Sequence, residues 1–125
     1  MATNYVQEGR VVDWTNGGSA VLSGAVVIIG SNGDAVVGIA LDNIGAGAIG
    51  PVGVEGVFDV AKKDAAVIAA GEYVMWDTST SDFDDNAATG ASGDVKDGAW
   101  AVEGKGATTG ATIKVKLTGQ PGILS

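Results

Sequence analysis

Apolar positions along the chain fall into short runs rich in Val and Ile, each closed by Gly, Asn, Asp or Ser, a pattern of strands joined by turns. Val11 to Trp14 runs into Asn16-Gly17-Gly18, and β-branched residues resume from Ala20 to Ile29, which predicts a hairpin. A second hairpin joins Val26–Ile29 to Ala35–Leu41 through Ser31-Asn32-Gly33-Asp34, because Asn-Gly tolerates the positive φ angles of a type I′ turn. From Val52 to Val60, the even positions Val52, Val54, Phe58 and Val60 share one apolar face, while Glu55, Val57 and Asp59 take the other. Tyr73–Trp76, Trp100–Glu103 and Ile113–Leu117 complete the strands. In the last, Ile113, Val115 and Leu117 point inward. Lys114 and Lys116 point outward, an arrangement suited to a protected sheet edge.

Three stretches break this pattern. Ala61–Ala70 is dense in Ala and Lys and is the one place where a short helix is expected, although Val67 and Ile68 suit a strand equally well. Thr78–Gly98 carries five Asp and almost no aliphatic residue, so it reads as a long exposed loop. Gly119–Ser125 reads as a tail beyond the last strand, since Pro121 and its flanking glycines oppose regular structure. No tandem repeat and no linker divides the chain. The expected organisation is one β domain over residues 1–118, a β-sandwich or β-barrel with at most one short helix, followed by a C-terminal tail over 119–125.

Composition supports the same class. At 125 residues the chain has room for one core. Its 17 Val and 8 Ile outweigh 4 Leu, which favours extended backbone, and 21 Gly supply many tight turns. No apolar stretch approaches the roughly 18 residues of a membrane span, and the first ten residues do not resemble an export signal. No membrane association is expected.

The absence of Cys and His removes thiolate and imidazole chemistry, disulfides and ordinary zinc ligation. A net charge of −8 opposes binding to a phosphate backbone, so nucleic acid is not an expected partner. Gly45–Gly50 matches the spacing of a dinucleotide fingerprint, but Pro51, Gly53 and Gly56 lead into a strand where the fingerprint needs a helix. Gly104-Lys105 lacks the spacing and the Ser or Thr of a P-loop. No cofactor is expected.

Asp82, Asp84 and Asn86 begin a calcium-loop pattern that fails at Ala87, where Gly is needed, and at Gly93, where a bidentate Glu is needed. A solvated acidic loop is the reading, with weak calcium binding left open. Among the carboxylates, Glu55 and Asp59 are the pair worth inspecting for acid and base work. Neither Gly17-Gly18-Ser19 nor Gly90-Ala91-Ser92 completes a nucleophile elbow. An enzyme is therefore not expected.

Aromatic residues serve either as core or as interface anchors. Core is the preferred reading for Trp14, Phe58, Trp76 and Trp100. Phe83 sits within the acidic stretch, where nothing local can bury it, and is assigned to contact with a partner or a neighbouring subunit.

Several segments taken in order resemble the phage capsid-cement, or head-decoration, family. They are Asn4–Gly9, Ser23-Gly24, Gly38–Leu41, Glu55–Lys62, the set Gly71, Val74, Trp76 and Asp77, and Val115–Gly119. None is a catalytic signature; the resemblance lies in their order and spacing over nearly the whole chain. The acidic stretch from Ser81 to Asp97 and the tail beyond Gly119 depart from the family pattern.

The resemblance implies a structural virion protein that is made in the host cytoplasm and cements the outer capsid surface against the pressure of packaged DNA. Its implied partners are the major capsid protein and further copies of itself, with a homotrimer favoured. The expected capsid or subunit contacts are Asn4, Tyr5, Val6 and Gln7 in an N-terminal arm, Phe83, and Ile123 and Leu124 in the tail. The arm residues equally suit the first strand of the protein's own sheet. A free-standing β-sandwich binding module, for example one that binds carbohydrate, is the alternative reading.

Overall fold

The β-branched runs become ten antiparallel strands in the computed structural model, which describes residues 9–125. In chain order these are β1 (Val11–Thr15), β2 (Val26–Ile29), β3 (Asp34–Ala40), β4 (Ile49–Gly53) and β5 (Glu55–Ala61). They are followed by β6 (Tyr73–Asp77), β7 (Asp82–Asp84), β8 (Val95–Ala101), β9 (Thr112–Thr118) and β10 (Gly122–Leu124). The sheet curls into a half-barrel, with no helix among the described residues. The all-β expectation holds.

Local pairing follows the sequence where the turn is short. Strands β2 and β3 form the expected hairpin, with Val26 opposite Ile39 and Ile29 opposite Val36. Its turn is not type I′, because positive φ falls on Gly30 and Gly33 and not on Asn32. The hairpin expected between β1 and the Ala20–Ile29 run does not form. Instead β1 pairs with β4, from Val11 opposite Gly53 to Thr15 opposite Ile49. Asn16 explains the difference: it is buried, and its amide group donates to the Ser19 and Ile44 carbonyls at 2.8 and 3.1 Å. That anchors the loop toward Ile44, which bridges to Val21, and steers the chain away from a tight reversal.

The apolar face of Val52–Val60 is real but is shared between two strands. Val52 and Val54 enter a smaller core with Val27, Ala40 and Ile44, whereas Val60 enters the larger core and Phe58 packs against it. No helix forms over 61–70. Ala66 and Ile68 are buried while Val67 is 64% exposed, the alternation of extended chain.

The long loop expected over 78–98 contains β7 and the start of β8, and the tail contains β10. β10 lies between β3 and β8, with Ile123 opposite both Asp34 and Lys96. Pro121 stands just outside this strand, and Gly122 allows the close approach: a Cβ there would strike the Lys96 carbonyl. Lys114 and Lys116 do not guard an edge, since β9 lies between β5 and β8.

The topology contains a duplication that the sequence does not display. In the first unit β1 pairs with β4, β4 with β3 and β3 with β2. In the second, β5 pairs with β9, β9 with β8 and β8 with β6. The loops correspond as well. The Val21–Ile44 bridge has its counterpart in Ile68–Lys105, and the bond from the Gly24 amide to the Ala40 carbonyl (2.8 Å) in that from Gly71 to Ala101 (2.7 Å). Gly24 and Gly71 share φ near +90°. The larger core is filled by Val74, Val95, Ile113, Val115 and Leu117 of the second unit, closed by Val37 and Ile39 of the first.

Candidate interaction surfaces

The acidic segment after β6 is tied down by its own carboxylates. Asp94 is buried and accepts from the Thr78 amide at 3.0 Å and the Ala91 amide at 2.9 Å, bracketing the loop. Asp77 is buried beside Lys63, whose ammonium donates to its Oδ2. The Ser79 hydroxyl and amide donate to its Oδ1 at 2.6 and 3.0 Å. The Lys63 hydrogen bond first, and the Ser79 bonds next, hold the Asp77 carboxyl well below the usual carboxylate range. The same pair raises Lys63, mainly through the hydrogen bond to Asp77.

Asp82 and Asp84 do not converge on a cation site. Asp82 accepts from the Thr80 hydroxyl at 2.6 Å, and Asp84 accepts from the Asp85 amide and lies 3.8 Å from the Lys63 ammonium. Among the described residues no group of three acidic side chains is placed to hold a metal ion. Glu55 and Asp59 are both exposed, and Asp59 pairs with Lys114 at 3.3 Å. Each lines a different open pocket, so the two carboxylates do not share a cleft.

The assignment of Phe83 to a partner contact is overturned. Phe83 is fully buried on β7 and meets Trp76 edge-on, with ring centroids 5.2 Å apart. Its neighbours in sequence are polar, but β7 pairs with β6 and carries this one side chain into the larger core. Only the alternation Asp82-Phe83-Asp84 hinted at that. Asn4, Tyr5, Val6 and Gln7 lie outside the described residues. Ile123 is 56% exposed on β10, whereas Leu124 packs against the larger core.

Trp76 is buried, and Trp14 and Phe58 are half-buried against the two cores. Trp100 departs from the core reading. It is half-buried on β8 between Ala99 and Ala101, both fully buried, so its side chain projects from the opposite face of the sheet. Tyr73 lies opposite it and is exposed. Sequence reasoning missed this outward pair because an aromatic in a short strand carries no mark of which face is covered.

Two shallow pockets lie on the surface of the described residues. One of about 290 Å³ lies where the start of β2 meets the end of β5, beside Trp76 and Ser81. The other, about 400 Å³, is lined by Arg10, Glu55, Gly56 and Lys116 at the start of β5. No helix among the described residues is long and apolar enough to cross a membrane.

A family model described as phage cement protein matches residues 6–117. No curated protein and no solved structure matches the chain.

Proposed function

Because the chain belongs to the phage cement protein family, we propose that it binds the outer surface of a phage capsid and stabilises the shell against internal DNA pressure. The family match, which covers all but the two ends of the chain, carries this reading. The fold suits the work: a curled β domain with fully buried core side chains on both sides of its β3–β8 contact presents a rigid body to a partner. Binding to the assembled shell but not to loose subunits favours the shell by mass action.

The major capsid protein is the proposed partner, and a homo-oligomer, favoured as a trimer, would add avidity across several weak contacts. Asn4, Tyr5, Val6 and Gln7 are proposed as a capsid-facing arm that adds a strand to a capsid sheet edge. Ile123 offers a second, smaller apolar contact, with Leu124 holding its strand in place.

Purified heads lacking the protein provide the test. Adding it back should raise the temperature at which heads release DNA and place external density of this domain's size on the shell by electron microscopy. Deleting Ala2–Val6 should abolish attachment while leaving the thermal melt of the isolated protein unchanged. Heads that show equal heat resistance with and without the protein, and no external density, would refute the proposal.

A further inference from the structure

Cross-strand register builds one straight row of side chains over the second unit. Tyr73 lies opposite Trp100, Trp100 opposite Lys116, and Lys116 opposite Val57, so the row spans β6, β8, β9 and β5. Paired residues share a face, and Ala99, Ala101, Val115 and Leu117 fill the other side, so this row points away from the core. Tyr73 is 48% and Val57 53% exposed.

The duplication shows what such a face does when it is covered. The corresponding row of the first unit is Val26, Ile39, Gly53 and Val11. Ile39 there is buried in the larger core, against the second unit. The second unit has no third unit behind it among the described residues, and its row stays bare.

Within the row, Lys116 also lines the 400 Å³ pocket with Arg10. Neither cation has an ion-pair partner among the described residues, whereas Lys63, Lys105 and Lys114 each pair with a carboxylate. Glu55 shares the pocket, but its side chain lies against Gly119. Two cations with no ion-pair partner among the described residues, set in one depression, select a carboxylate. Aromatic and apolar side chains beside them supply contact area of the kind that dominates interfaces.

We infer that the outward face of β5, β9, β8 and β6, with the Arg10–Lys116 pocket, is the surface that docks on the capsid, where it receives apolar side chains and one carboxylate of the capsid protein. This rests on the cement reading above. A second copy docked by the same face about a two-fold axis at Lys116 would set Lys116 against Lys116, which disfavours that arrangement.

The test uses the full-length protein and decoration-free heads in a co-sedimentation assay below saturation. Arg10→Glu and Lys116→Glu should each lower the bound copies at least about tenfold. Lys105→Glu changes net charge by the same amount away from this face and should bind like the native protein. All three should keep the native melting temperature and the native mass by light scattering, and Tyr73→Ser should weaken attachment without changing either. Native binding with unimpaired binding by both Arg10→Glu and Lys116→Glu overturns this inference alone. So does a change of oligomeric mass in place of a loss of head binding, which would make the face a contact between copies. Failure of the native protein to bind heads overturns the cement reading and this inference together.

Discussion

Replacing Phe83 by Ala separates the two accounts of the acidic segment. The side chain is fully buried, and its ring meets Trp76 edge-on at 5.2 Å. Truncating a buried Phe removes its transfer free energy and leaves a cavity, a loss of about 3–5 kcal/mol, of which the aromatic pair supplies about 0.5–1.5 kcal/mol. The lower part of the range applies here, because β7 has three residues, is held chiefly by β6, and can settle partway into the gap. At roughly 4 °C per kcal/mol for a chain of this size, about 3 kcal/mol lowers the melting temperature by about 12 °C. Circular dichroism or calorimetry at neutral pH reads this directly. The cavity also leaves Trp76 in a looser site, so its fluorescence should shift with the melt. A partner anchor on an exposed loop would behave in the opposite way: Phe83→Ala would keep the native melting temperature and lose head binding. That result would refute the placement of β7 in the core.

Two further outcomes follow from buried polar groups. Lys62 is 2% exposed and its ammonium donates to the Lys63 and Ala66 carbonyls at 2.6 Å each, closing the loop after β5 as Asn16 closes the loop after β1. Lys62→Met keeps the apolar stem but leaves the Ala66 carbonyl without its donor, while the Lys63 carbonyl keeps only the Ala66 amide, and should cost at least about 2 kcal/mol in urea unfolding; an unchanged midpoint would show that water replaces the ammonium freely. Asp77 titrates below the usual carboxylate range, so its contribution is present above about pH 4 and is lost as pH falls toward its native value. Asp77→Asn should therefore melt below the native protein at pH 7, with the gap narrowing by pH 2, and a gap that stays constant with pH would exclude the ion pair as its cause.

How far the sequence reached depended on how local each feature is. The all-β class followed from residue preference alone, since Val and Ile favour extended backbone at every position they occupy. The β2–β3 hairpin followed because its strands are joined by a short Gly-containing turn. The inward Ile113, Val115 and Leu117 followed because alternation in a strand is a property of the strand itself. The resemblance carried the family in the same way, through the order of short segments.

Alternation tells which side of a strand is apolar, but not which strand lies beside it or what covers each face. That information belongs to contacts between residues far apart in the chain. Only the folded sheet could give β1 to β4, set β10 between the two units, and enclose Phe83 within an acidic stretch. The same reason hid the duplicated strand order: backbone hydrogen bonds define it, and side chains as unlike as Asn16 and Lys62 satisfy corresponding loops. Trp100 and Tyr73 are outward for that reason too, because among the described residues the strands of the second unit have a packed partner on one face only.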